Sequence, residues 1–446
     1  MLRLCAHLIK INLSSFAVNL ILYPLRAAVL AGPTHPRHGM AEPDSSRPDT
    51  RPESPLTRIP GWLLLMGLLT ALGPLAIDMY LPAFSAIAAG LDITHGDVER
   101  TLASYLFGLA LAQLFYGPLA DRYGRKKPLL LGLCIFILGS VGCATATSID
   151  QLVLSRIAQA FGGAAGMVIP RAVIRDNFNT RDASKALSIM MLIMGATPIL
   201  APLLGAQILV LAGWRPIFHF MTLAGTLLLL SAAITMRETL NPDHVIPLKP
   251  SVIARNYLGL LKHRRFMCYA LAGGFGSAGM FSYIAGSPRI FIDVYGISPQ
   301  SFSLLFGLNA AALILMAQVS ARMLNRHTPE ALLRGAQYGQ VAVTLAGLLL
   351  TVTGLLPLWL LTLCVMVFMG TQGFVNPNAA ALALREQGHR LGAASALMGT
   401  VHMLCGATAG LVVSLWQAPS ALPLTGVLAI CALLSWSFGR AARRAA

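Results

Sequence analysis

From Gly61 onward the chain is a succession of apolar runs, each about as long as a bilayer is thick. A helix needs about 20 mostly apolar residues to cross the hydrocarbon core. Runs of that kind fall at 61–84, 100–120, 128–147, 150–173, 187–212, 216–236, 266–288, 300–323, 331–355, 357–383, 391–415 and 421–438. In lipid, backbone polar groups must be satisfied within their own segment, which makes runs of this length helices. Composition agrees. Of 446 residues, 56% are hydrophobic and only 11% are charged, and mean hydropathy is +0.69. A soluble domain carries about 25% charged residues, so lipid is the solvent for most of this chain. The predicted fold is an all-α membrane protein of about 12 transmembrane helices.

Most links between runs are short. The longest, 237–265, is polar and carries Arg237, Glu238, Asp243, Lys249, Arg255, Lys262, Arg264 and Arg265. It divides the spans into six and six. The expected organisation is an N-terminal bundle at 61–236, a central loop at 237–265, a C-terminal bundle at 266–438 and a tail at 439–446. Two such halves are what a parallel-repeat transporter requires. Residues 1–60 are unlike the rest. Segment 11–31 is apolar but short and broken by Asn12, Asn19, Pro24 and Arg26, and 32–60 is rich in Pro, Arg, Asp and Ser. That composition builds no core and reads as a poorly ordered extension. Met40 opens a more ordinary polar leader, so Met40 competes with Met1 as the translation start. A signal peptide is the other alternative, but no small-residue cleavage site precedes the first strong span.

The net charge is +16, which in a soluble protein points to nucleic acid. Its distribution points elsewhere. If the leader is cytoplasmic, the links on that side hold Arg122, Arg125, Lys126 and Lys127, then Arg171, Arg175, Arg181 and Lys185, then the central loop. They continue with Arg322, Arg326, Arg334, Arg385 and Arg390, and the tail adds Arg440, Arg443 and Arg444. The opposite face has Arg100, Arg215 and Arg289. This is the positive-inside asymmetry with both termini cytoplasmic, and charge spread over so many loops removes the case for nucleic acid. The seven cysteines form no CxxC pair, and all but Cys5 lie in apolar runs, so they read as small buried hydrophobes rather than metal ligands or disulfides. There is no G-x-x-x-x-G-K-[ST] loop and no soluble domain for ATP. No cofactor, metal site or catalytic cluster is expected, and an ion gradient is left as the energy source.

Two ionisable residues stand well inside predicted spans: Asp78 in the first and Arg156 in the fourth. Each lies about six residues from the arginine-poor end of its span, so at about 1.5 Å per residue they share a depth. Intramembrane ionisable groups are costly and mark proton relays or ion pathways by default. The competing reading is a static ion pair. Absence of a carboxylate cluster for sodium makes protons, carried by Asp78 with Arg156 as counter-charge, the economical choice.

Between the second and third spans runs Gly117-Pro-Leu-Ala-Asp121-Arg122-Tyr-Gly124-Arg125-Lys126-Lys127. Gly117 and Gly124 are expected to permit a tight turn, and Asp121 to pair with a cation or sit at a helix N-terminus. This string resembles the signature loop of the major facilitator superfamily. The second half has no clean copy, reading Ala321-Arg-Met-Leu-Asn-Arg326. Arg156-Ile-Ala-Gln159-Ala160 is similar to the R-x-x-Q-G helix 4 motif of proton-coupled facilitators, with Ala for Gly; in that family the arginine is assigned to proton transfer. In the fifth span, Gly195-Ala-Thr-Pro198-Ile-Leu-Ala201-Pro202-Leu-Leu-Gly205 predicts a kinked, closely packed helix, and departs from the usual G-P antiporter motif by its A-P form. That form, Gly213-Trp214-Arg215-Pro-Ile-Phe218, Asp78-Met-Tyr80-Leu-Pro82, Ser287-Pro288 and Pro377-Asn378 together resemble the bicyclomycin and chloramphenicol resistance (Bcr/CflA) subfamily of drug:proton antiporters.

The resemblance implies a transporter in a bacterial inner membrane, not an enzyme. It would commonly be monomeric, exchanging drug-like amphipathic molecules for protons through a central cavity open alternately to each side. Tyr80, Gln159 and Asn376 are the favoured cavity candidates, each with an interhelical hydrogen bond as its alternative, and His402 could titrate. The 18 methionines fit a pliable cavity or an ordinary core. A proton-coupled facilitator moving a metabolite such as an amino acid remains the rival reading.

Overall fold

The computed structural model describes residues 61–178, 180–240, 250–388, 391–416, 418 and 420–444. The extension at 1–60, with its competing start sites, lies outside them.

The described residues form α1 (Gly61–Asp78), a 3₁₀ turn (Leu81–Ala83), α2 (Phe84–Leu91), α3 (His95–Tyr123), α4 (Lys126–Thr145), α5 (Ile149–Asn177), α6 (Thr180–Ala212) and α7 (Arg215–Thr235). Beyond the centre come α8 (Pro250–Lys262), α9 (Arg264–Pro288) with a π-helical turn (Arg289–Val294), α10 (Pro299–Met323), α11 (Pro329–Val352), α12 (Leu358–Leu384), α13 (Leu391–Leu415) and α14 (Leu422–Arg444). Among the described residues, eleven stretches are long and apolar enough to cross a membrane. The twelfth, α9, is diluted by Gly and Ser, and nearly its whole length from Phe266 to Pro288 is buried against protein, where small residues serve close packing better than bulk apolarity. Elsewhere large apolar side chains face outward. Leu211 is 82% exposed and Ile234 75%, a surface that water would not tolerate over such an area and lipid does.

Two six-helix bundles result. In the first, α1 packs on α5 and α6, α3 on α5, and α4 on α5 and α7; in the second, α9 packs on α12, α13 and α14, α10 on α12, and α11 on α12 and α14. The bundles meet along two seams, α3 with α13 and α6 with α10. In each seam the second span of one half meets the fifth of the other, as a repeat about a two-fold axis demands.

Several boundaries differ from those read in the sequence: the fourth span runs on to Asn177, the fifth begins at Thr180, and the last helix takes in most of the expected 439–446 tail by running to Arg444. Three further differences have a clear physical reason. The first span does not run straight through to residue 84: α1 stops at Asp78 and the chain re-forms as a 3₁₀ turn and α2. Pro82 lacks the N–H that would bond the Asp78 carbonyl, and its ring would strike that carbonyl in a continuous helix. The second span starts at His95 rather than 100, because Thr94 and Asp97 form a reciprocal capping box. Inside the central polar segment, α8 packs on α9 and α13 with Leu260 fully buried.

Candidate functional site

The break after Asp78 leaves the end of α1 turned into the protein, and Arg156 of α5 reaches it. The Arg156 guanidinium lies between the rings of Tyr80 and Tyr105, 4.2 Å from each centroid. One Nη donates to the Ala76 carbonyl at 3.0 Å and to Gln159 Oε1 at 2.6 Å. The chain of donors then continues. Gln159 Nε2 donates to Ser140 Oγ at 2.8 Å, and Ser140 donates to the Phe136 carbonyl at 2.7 Å. Arg156 Nε and the second Nη have no hydrogen-bond partner; the two aromatic faces take their place, as a cation over a ring is attracted by the ring's quadrupole. Tyr105 donates to the Gly73 carbonyl at 3.2 Å, and the Tyr80 hydroxyl sits 3.3 Å from Thr101 Oγ1. Thr101 spends its own proton on the Val98 carbonyl, which makes Tyr80 the donor.

Asp78 is 3% exposed, and among the described residues it forms no ion pair and no hydrogen bond through its carboxylate. The direct Asp78–Arg156 pair read as one possibility in the sequence is therefore not made. Their matched depth does hold, since Arg156 bonds the carbonyl two residues before Asp78. Asp78 instead lies within electrostatic reach of the hydroxyls of Tyr105 and Tyr283. Tyr283 belongs to α9 in the other bundle and accepts from Asn309 Nδ2 at 2.8 Å, so the carboxylate looks toward the interface between bundles.

Of the three cavity candidates, Tyr80 and Gln159 are fully buried in the Arg156 cluster, so in this conformation they pack and orient rather than line an opening. Asn376 is half-buried on α12, where it accepts from Ser277, which itself lies 3.4 Å from His402 Nδ1.

At the arginine-rich end, the α3–α4 loop is a knot of charge. Gly124 takes φ +87°, where a side chain would be strained, and makes the turn alone. Gly117 lies inside α3 with open space around it, so the turn role expected of it is not used. Asp121 sits in the last turn of α3, not at a helix N-terminus, and accepts from Arg125 at 2.6 Å; Arg125 also bonds Asp176 at 2.9 Å. Arg122 is exposed. Glu238, just past α7, accepts from the backbone N–H groups of Arg125 and Lys126 at 2.8 and 3.2 Å, placing a carboxylate on the N-terminus of α4. Burial opposes this charge, but those bonds and two more from Leu240 and Thr239 hold the Glu238 carboxyl below its ordinary range. The loop thereby ties α3, α4, α5 and α7 together.

Along α6 the motif faces two neighbours. Gly205 lies against the Met79 backbone so closely that a Cβ there would overlap the Met79 carbonyl. Gly195 faces Ile314 of α10 at ordinary contact distance. Ala201 is fully buried, and the Pro202 carbonyl accepts from Ser303 of α10 at 3.0 Å. Pro198 and Pro202 sit inside one unbroken helix.

The family model described as Major Facilitator Superfamily matches residues 66–410. The chain belongs to the major facilitator superfamily. Among superfamily relatives, it is 39% identical over 373 residues to an uncharacterized MFS-type transporter, YdgK, of Bacillus subtilis, covering 83% of this chain and 92% of that one. It is 32% identical to a bicyclomycin resistance protein homolog of Haemophilus influenzae, over 84% and 94% of the two chains. It is 31% identical to a chloramphenicol resistance protein of Pseudomonas aeruginosa, over 81% and 86%. Among solved facilitators, a bacterial homolog of the human lysosomal transporter Spinster, in an inward-facing and occupied conformation, superposes with TM-score 0.67 at 16% identity, covering 86% of this chain and 97% of that one. At that identity the likeness is one of fold.

The facilitator's bundles are joined by bonds that gather toward the arginine-poor end. Asp293, in the turn after α9, accepts from Ser85 of α2 at 2.9 Å and faces His95 of α3 at 3.3 Å. Thr400 of α13 bonds the Ala110 carbonyl of α3 at 3.1 Å, near mid-helix. One residue there escaped the sequence reading. Glu99, fully buried on α3, is a second acidic residue inside a span, overlooked because hydropathy started that span at 100. The Thr94-x-x-Asp97 pair is the signal that would have drawn it in.

Proposed function

We propose that this facilitator exports drug-like amphipathic molecules in exchange for protons, by alternating access between its two bundles. It works as a monomer in a bacterial inner membrane, with the arginine-rich end and both termini cytoplasmic. The observation that carries the reading is Asp78: a buried carboxylate without counter-ion or hydrogen bond, at the break in α1, facing the other bundle. An ionised carboxylate in such a place costs several kcal/mol, so proton binding there and rearrangement of the bundle interface are linked. Arg156 serves as a fixed cation. Clamped by two rings and two acceptors, it holds the broken end of α1 against α5 through the Ala76 carbonyl.

The drug class comes from the relatives named for bicyclomycin, chloramphenicol and multidrug resistance. The α3–α4 knot holds four helices of the first bundle as one body, which lets that bundle rock as a unit. The test is a resistance screen with a drug panel in an efflux-deficient bacterial host, with and without an uncoupler. Resistance that vanishes with the uncoupler supports the reading. Unaltered sensitivity to every compound, together with gradient-driven movement of an amino acid, would replace it with the metabolite facilitator.

A further inference from the structure

Glu99 has a setting that the Asp78 cycle does not use. It lies one helical turn inside α3 from the arginine-poor end, with 0% of its surface exposed. Both carboxylate oxygens are buried without a hydrogen-bond partner. The nearest charges come from the other bundle: Arg289 and Asp293, both in the turn after α9, act on it electrostatically without an ion pair or hydrogen bond to it. Arg289 is engaged with the Ala418 carbonyl at 3.0 Å, and Asp293 with Ser85 and His95. On α3 itself His95 stands one turn away, and the Asp97–Arg100 pair faces outward at 3.0 Å. The neighbouring α2 offers Ser85, with an exposed Asp92 just past its end, α5 begins with an exposed Asp150, and the last turn of α13 carries no titratable group. Arg289 therefore offsets only part of the cost of a charge on Glu99 while the bundles touch, and no described residue pairs with it.

We infer that Glu99 is a second proton-binding residue of the transport cycle, whose protonation is the condition for closing the bundles at the arginine-poor end. When that end opens, Arg289 and Asp293 leave with the second bundle, water reaches Glu99, and the carboxylic acid gives its proton to that water. When it closes, burial without partners favours the neutral acid over the attraction of Arg289, so closing draws a proton onto the carboxylate from the same side. Closing therefore consumes a proton drawn from the face toward which an exporter discharges its substrate. The step rests on the alternating-access reading above and deepens it: Asp78 couples exchange, and Glu99 makes the return of the empty carrier depend on outside protons.

Linkage sets the size of the effect. If closing binds a proton, the closed-to-open ratio changes by about tenfold for each pH unit in the range where Glu99 is ionised in the open state and protonated in the closed one. Two spin labels at exposed positions on opposite bundles, Asp150 and Leu355, read that ratio in nanodiscs without drug or gradient. In the wild-type background the closed population should fall as pH rises. Glu99→Gln, neutral and of the same shape, should flatten that dependence and hold the closed state at high pH. Glu99→Asp, which still titrates, should keep it. Infrared spectra of the same samples should show a protonated carboxyl band that Glu99→Gln removes and Asp78→Asn does not. An unchanged pH dependence and unchanged band in Glu99→Gln would overturn the inference. Because neither readout involves substrate, a protein that fails to export drugs yet shows Glu99-dependent closing would contradict only the proposed function.

Discussion

Replacing Arg156 by Lys keeps the charge and removes the shape. The guanidinium now serves two aromatic faces, each 4.2 Å away, and two oxygen acceptors at 2.6 and 3.0 Å. A lysine ammonium is a compact charge on a narrower stem and cannot lie flat between two rings. Losing one desolvated ring contact costs about 2 kcal/mol, and losing one charge-assisted hydrogen bond costs about 1.5–3 kcal/mol. The sum, about 3.5–5 kcal/mol, shifts the folding equilibrium by about 2.5 to 3.5 orders of magnitude. Arg156→Met should destabilise less than this sum, because it also relieves the cost of burying a cation. Cys143 is fully buried within electrostatic range of Arg156, so a variant retaining only this cysteine reports unfolding by its reactivity toward a thiol reagent across a denaturant series. Arg156→Lys should move the midpoint well to lower denaturant. An unchanged midpoint would mean that the planar fork is not what holds the cluster, and the account of Arg156 as a clamped cation would fail.

Other outcomes follow from the same geometry. Gly205→Ala should destabilise by about 1–3 kcal/mol, since its Cβ meets the rigid Met79 carbonyl, whereas Gly195→Ala, facing only the end of the Ile314 side chain, should be tolerated; the two variants' yields of folded protein in detergent make the comparison. The Glu238 carboxyl is held below its usual range, so its contribution is present above the usual carboxylate pH and lost as pH falls through the lowered folded value. Below about pH 4 the thermal midpoint should therefore drop in wild type, and Glu238→Gln should remove part of that drop. Asp293→Asn should weaken the contact with His95 and raise the population open at the arginine-poor end, read by the same paired spin labels.

Span number and the six-and-six division were legible because hydropathy over about 20 residues reports lipid as solvent, whatever the tertiary contacts. Even α9 was legible, although glycine and serine dilute it. Helix ends were harder. The polar turn His95–Arg100 lowers local hydropathy, and only the capping pair reveals that it is helix. Asp78 and Arg156 stood out because ionised groups in spans are rare, and Gln159 follows Arg156 at i+3 on the same face. That Tyr80 and Tyr105 clamp the guanidinium depends on how α1 and α3 are rotated against α5, which periodicity does not fix. Asp176 and Glu238 reach Arg125 from 51 and 113 residues away, and no local pattern announces such partners. Gly117 shows the reverse case: a motif glycine that stands inside α3 with open space around it.

The most direct test of the whole account is transport in proteoliposomes with an imposed pH gradient. Wild-type protein should accumulate a resistance-screen substrate against its concentration gradient while protons move the opposite way. Asp78→Asn, folded and inserted equally well, should lose both proton flux and accumulation. Accumulation by Asp78→Asn at the wild-type rate, or wild-type accumulation that ignores the pH gradient, would contradict proton coupling through Asp78.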